Sequence, residues 1–153
     1  MQRFLERGGC WVLGQGALMV TVVVLAFSHR GEGRNFTMII PGVLLLGLSA
    51  VVGLAGVIAL GRNLTPFPKP STNTRLMQRG IYAVIRHPLY TSVMAAALGW
   101  SLVWQSWPAV SAAGILILFL NAKAKHEERW LGEQFPEYGD YAKRVHRFIP
   151  WGY

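Results

Sequence analysis

The chain has 153 residues, 52% of them hydrophobic and only 14% charged, with a formal net charge of +8. One domain is the expectation from that length, and apolar residues gathered in unbroken blocks, not at 3.6-residue spacing, exclude an ordinary soluble core. The basic residues lie between these blocks, which assigns them to membrane topology and speaks against nucleic acid, while the single Cys10 allows no internal disulfide.

The first block, Gly8 to Ser28, holds 21 residues, about 31 Å as a helix and enough for a bilayer core. It lacks a small-residue cleavage site before "SHRGEGRN" and is read as a retained span. The second block, Met38 to Leu60, is also uncharged, and Ser49 and Gly53 give it a small-xxx-small face for helix packing. A connector, "GRNLTPFPKPSTNTRLMQRG", follows; its alternating prolines predict extended backbone through "TPFPKP".

The third block starts at Pro88 and ends near Trp104; the fourth runs from Pro108 to about Ala122. The "QSWP" link between them is short enough to make a helical hairpin, with Trp104 and Trp107 at interface depth. With the N-terminus inside, thirteen of the fifteen basic residues fall on the cytoplasmic side and only Arg30 and Arg34 outside. Four spans satisfy that bias and put both termini in the cytoplasm, in what the sequence suggests is a bacterial inner membrane. Beyond the fourth block the helix is expected to continue. After Gly132 and Pro136 a second short helix follows, with Tyr138, Tyr141, Val145 and Phe148 on one face: an amphipathic helix or lid on the membrane surface. The fold class expected is therefore an all-α integral membrane protein, a single domain over 1–153 with two N-terminal spans in 1–60 and the connector, hairpin and tail in 61–153.

Two places could carry chemistry. In "GIYAVIRHPLYTS", Pro88 suits the first helical position and His87 the N-cap, at the positive end of the helix, where a carboxylate or phosphate is favoured. Arg86 and His87 could equally mark only the cytoplasmic end of a span. Glu127 and Glu128 lie beyond the fourth block, on the side to which the hairpin returns. They are either a solvated helix end, with Lys123 paired to Glu127 at i, i+4, or a site for a cationic ligand. Adjacent helical positions point about 100° apart, so one carboxylate is expected to face the ligand and the other to hold a neighbouring side chain. His29 reads as an outer-loop residue and His146 as tail-helix surface. No metal-ligand spacing, phosphate loop or Ser-His-Asp set is present in the sequence.

Together, "LMQRGIYAVIRHPLY" and "HEERWLGEQFPEYGDYAKRVHRFIP" resemble the isoprenylcysteine carboxyl methyltransferases and related phospholipid methyltransferases, over Leu64 to Pro150. The first two blocks match only as hydrophobic helices. The resemblance implies a membrane enzyme that uses S-adenosylmethionine. It places cofactor contacts on Thr74, Arg75, Leu76 and Met77, on Tyr82, on His87, Pro88, Leu89 and Tyr90, and on Glu127, with Glu128 beside it. Lys123 stands where the isoprenylcysteine enzymes have an Arg associated with the substrate carboxylate, so Lys123 and Glu127 are the residues expected to act at the reaction. Lys keeps the charge and loses the bidentate fork, which leaves the lipophilic acceptor open. Ser92 replaces a small Gly of the family motif, and the packing is expected to survive. Two other classes remain: an NADPH-dependent sterol-reductase-like enzyme, whose members carry a similar RHP run, and a non-catalytic membrane scaffold or sensor.

Overall fold

The computed structural model describes residues 8–32, 35–61, 64 and 76–150. The proline-rich stretch and Thr74 and Arg75 lie outside the described residues. Within them stand α1 (Gly9–Ser28), α2 (Phe36–Leu60), a 3-10 turn (Gly80–Ala83), α3 (Pro88–Val103), α4 (Trp107–Gln134) and α5 (Tyr138–Arg144), with no strand; a single parallel bridge joins Ile85 to His146.

The helices start where their first residues provide for it. Asn35 accepts the amide of Thr37 ahead of α2, and Ser106 accepts the amide of Ala109 ahead of α4. Pro88 is the first residue of α3, where its missing N–H costs nothing. The link in the hairpin is Trp104 to Ser106, closed by Gln105 at a φ of 54°. Its Oε1 accepts the Asn35 amide, and the Trp104 carbonyl accepts the Gly31 amide, so this end of the bundle is tied across both loops.

Among the described residues three helices, α1, α2 and α4, are long and apolar enough to cross a membrane. The fourth expected span, α3, has 16 residues, about 24 Å and short of the roughly 20 residues a bilayer core takes. It is nevertheless packed on several sides, with Met94, Ala95, Ala97, Gly99 and Ser101 buried. Its main partner is α2, while α1 lies along α4.

The α2–α3 seam is built from small residues. A Cβ on Gly42 would sit 2.8 Å from the Gly99 carbonyl oxygen, and one on Gly99 would sit 2.7 Å from that of Gly42. Further along, the Ser49 hydroxyl donates to the Ser92 carbonyl at 2.8 Å, and Gly53 makes room for the Ser92 side chain. The expected Ser49–Gly53 face is thus the packing face, and Ser92 fits within it. Close backbone approach is what holds apolar helices together where lipid offers no hydrophobic gain.

The tail differs from its expected form. Helix α5 ends at Arg144 because Val145 turns to extended backbone. The next residues run beside the entry to α3: the Arg86 amide donates to the His146 carbonyl and the His87 amide to that of Arg147. Tyr138, Tyr141, Val145 and Phe148 are all buried against the protein. They do not share one helical face, as only the first two are in α5, and they cover the chain's own core. His146 is exposed on this extended segment, not on a helix.

Candidate functional site

At the end of α4 the chain concentrates its buried charge. The helix carries Asn121, Lys123, Glu127 and Glu128 past the apolar region, and the hairpin returns them to the entry of α3. There Arg86, His87 and Tyr90 meet them. The 3-10 turn and the tail close the cluster from the other side.

The two neighbouring carboxylates have different surroundings. Glu128 is saturated. Arg147 holds both its oxygens, Nε to Oε1 at 2.9 Å and Nη2 to Oε2 at 2.6 Å. Arg86 Nη2 lies 3.2 Å from Oε1, and His87 Nε2 approaches the same oxygen at 3.2 Å. A carboxylate can only accept, so the His87 proton on Nε2 points at Glu128. Arg147 also donates to Asn121, and Arg86 to the Ala142 carbonyl, so Glu128 pins the tail to α4 and α3 at once.

Glu127 has spare capacity. Its Oε2 accepts the Tyr90 hydroxyl at 2.6 Å and lies 3.9 Å from His87 Nδ1. Its side chain is 24% exposed against 13% for Glu128. The Tyr90 ring stacks on His87 with centroids 5.2 Å apart and planes 5° from parallel. One carboxylate keeps an open side and the other is engaged by its neighbours: Glu127 is the former and Glu128 the latter.

Lys123 does not pair with Glu127. It is 2% exposed, donates to Gln15 Oε1 of α1 at 2.7 Å, and lies 5.1 Å from the centre of the Tyr90 ring. It is a buried group of the bundle and no surface charge of the tail.

The remaining expected residues divide. Tyr82 is buried, and its carbonyl accepts the Tyr141 hydroxyl at 2.6 Å. Burial, with a smaller contribution from the Glu127 charge, pushes the Tyr82 phenol well above its ordinary range. Burial also raises Tyr141, to about 12. Leu76 packs on the Tyr138, Tyr141 and Val145 cluster, and the next residue in the chain, Met77, is half-buried. The side chains of Pro88 and Leu89 turn away from the carboxylates and pack at Gly56 of α2. The amides of Arg86 and His87, part of the rim expected to receive an anion, are taken by the tail.

Arg147, Asn121 and Gln15 were not singled out from the sequence. Arg147 and Asn121 are 26 positions apart, and Gln15 and Lys123 are 108 apart; no local spacing links them. An uncompensated Gln within an apolar block was the one available signal. Among the described residues no group of three His, Cys, Asp or Glu side chains could hold a metal ion. Away from the charges, an apolar crevice of about 280 Å³ opens between α1, α2 and α3, lined by Met19, Val22, Ser49, Ser92, Val93 and Trp100.

Long apolar helices that end in a cluster of buried and half-buried acids, bases and tyrosines define an integral membrane protein, and the family to which they belong is one of membrane methyltransferases. The phospholipid methyltransferase family model matches residues 37–138, two thirds of the chain, and the chain belongs to that family. It is similar to the cobalt-zinc-cadmium resistance protein CzcN of Cupriavidus metallidurans, with 32% identity over 142 residues, 90% of this chain and 63% of that one. The nickel-cobalt-cadmium resistance protein NccN of Alcaligenes xylosoxydans is 29% identical over 149 residues, 95% of this chain and 65% of its own. Protein-S-isoprenylcysteine O-methyltransferase B of Arabidopsis thaliana is 25% identical over 114 residues, 72% of this chain and 58% of its own. The chain spans roughly three fifths of the length of these relatives.

Proposed function

We propose that this protein transfers a methyl group from S-adenosylmethionine to a lipophilic acceptor at the cytoplasmic face of the membrane, which we take to be a bacterial inner membrane with both termini inside. The observation that carries the reading is the open carboxylate of Glu127, fixed by Tyr90 beside the stacked His87 ring in a chain of this family. The site suits a ligand bearing both positive charge and a carboxylate. Glu127 Oε2 is engaged and the side chain is the more exposed of the two, so its other oxygen can take an ammonium. Aromatic faces favour a sulfonium nearby. Leu76, Met77 and Tyr82 border the cluster, and the first turn of α3, from His87 to Tyr90, offers the positive end of a helix; Thr74 and Arg75 complete the set that we assign to cofactor binding.

When bound, S-adenosylmethionine supplies an activated methyl group on a sulfonium, and its displacement needs no nucleophile from the protein. The chain's part is positional: Glu127 and the Tyr90 and His87 rings orient one side, and Lys123 offers its amine to an oxygen of the acceptor on the other. Glu128 acts through His87 and Arg147, holding tail and hairpin together. Packed helices keep water from the reacting atoms, and alignment within about 3 Å supplies the rate. The apolar crevice suits an acceptor with a hydrocarbon part.

Calorimetry on detergent-purified protein tests this. Saturable heat with S-adenosylmethionine is expected, and Glu127→Gln should weaken it about tenfold, the scale of one charge-assisted contact. Saturable heat with NADPH and none with S-adenosylmethionine would overturn the reading.

A further inference from the structure

The residue most out of place in the N-terminal helix is Gln15. It sits about a third of the way along α1, in a block with no charge, and α1 lies outside the segment matched by the family model. Its side-chain carbonyl is the acceptor for Lys123 at 2.7 Å, and the amine has no other hydrogen bond among the described residues. The amine also faces the Tyr90 ring, and the Glu127 carboxylate acts on it through its charge without a direct contact. An amine has three donor positions as an ammonium, and burying it needs compensation. Gln15 supplies one hydrogen bond and no charge, so it fixes the position of the amine without itself neutralising it.

The surroundings keep Gln15 there. Trp11, one turn earlier, packs its ring 5.2 Å from Phe119 and 5.7 Å from His126. At Gly14 the Phe119 ring comes so close that a Cβ would lie 2.8 Å from it. Together these seat α1 on α4 at the level of Lys123. The amide nitrogen of Gln15 makes only a weak contact, 3.8 Å to the Met19 sulfur, and so can be given up to another oxygen.

We propose that Gln15 is a positioning residue for the acceptor: it holds the Lys123 amine toward the Tyr90–Glu127 pair and offers its own amide nitrogen to the same acceptor oxygen, so that α1 forms one wall of the acceptor site. This rests on the methyltransferase reading above, which assigns Lys123 to the acceptor side.

The full chain in detergent, labelled with nitrogen-15 at the lysine Nζ atoms, tests the first part by NMR. In the unsubstituted protein the Lys123 amine protons should exchange slowly and give a sharp signal, identified by its loss in Lys123→Met. Gln15→Leu should speed that exchange at least tenfold while the backbone amide spectrum of α4 is kept; Gln15→Glu, which restores an acceptor, should recover slow exchange. Unchanged exchange in Gln15→Leu overturns the proposal. The second part is read by transfer of labelled methyl from S-adenosylmethionine to S-farnesylcysteine, a thioether carboxylate with one hydrocarbon chain. Gln15→Leu should raise the acceptor KM about tenfold with kcat within about threefold and the calorimetric affinity for S-adenosylmethionine unaltered. A fall in cofactor affinity at an unaltered acceptor KM places Gln15 on the wrong side and overturns it. Absence of cofactor binding to the unsubstituted protein would instead defeat the methyltransferase reading, while the exchange measurement still decides whether Gln15 holds Lys123.

Discussion

The α2–α3 seam and the junction of α4 with the tail hold the same bundle by opposite means. The seam has no charge. Gly42 brings the α2 backbone against that of α3 at Gly99, Ser49 donates to the Ser92 carbonyl, and Gly53 and Gly56 make room for the Ser92 and Leu89 side chains; the seam's strength is the sum of many small contacts. The junction depends on one carboxylate, Glu128, with three basic partners. A seam of small groups fails by overfilling, whereas a buried charge cluster fails by subtraction. The proposed function sits on the second kind of structure, because there charges are held at fixed positions with one carboxylate left over.

The largest expected effect tests the junction. Glu128→Ala leaves Arg86, Arg147 and His87 facing each other at low exposure, and should cost about 3 kcal/mol or more, read as loss of thermal stability in detergent. The double variant with Arg147→Ala should recover part of that. Equal losses in the single and double variants would show that the cluster is not held by this pair.

Next is the seam. Gly42→Ala places a methyl 2.8 Å from a backbone oxygen and should cost about 1–3 kcal/mol by overpacking. Gly47→Ala, on the same helix with nothing near its added Cβ, should stay within about 0.5 kcal/mol. Similar midpoints for the two would remove the close approach as the reason for the glycine. Glu127→Gln sharpens the comparison from the side of function: it should leave the thermal midpoint nearly unmoved while cofactor heat falls.

The smallest effect concerns Tyr141. Tyr141→Phe removes the hydrogen bond to the Tyr82 carbonyl and should cost about 1 kcal/mol. Burial raises this phenol from 10 to about 12, so the unfolded chain loses the proton first. Its contribution is therefore whole below pH 10 and is lost as pH rises through about 12. An alkaline stability profile should show this loss in the native protein and less of it in Tyr141→Phe.

Much of this was legible in the chain itself. Pro88 and His87 stand at the first turn and cap of α3, and Asp-free, Lys-free blocks gave the long helices. The hairpin alone was enough to predict that Glu127 and Glu128 would meet His87. Less legible was α5: the spacing of Tyr138, Tyr141, Val145 and Phe148 suggested one helical face, yet buried side chains at 3- and 4-residue intervals are also met by a short helix followed by an extended strap. One of the two readings of the carboxylates pairs Lys123 with Glu127, because i, i+4 is the nearest opportunity on a helix; the fold offers Gln15 instead.

Apolar block length and the absence of charge within it determine by themselves that this chain belongs in a bilayer, since a buried unpaired charge or open backbone is too costly there. Turn chemistry and proline position likewise determine where the helices begin. Which carboxylate is spent on structure and which is left open was decided only by the tertiary fold. Two adjacent glutamates are chemically the same, and they separate only when α3 and the tail place Arg86, His87 and Arg147 around one and Tyr90 against the other.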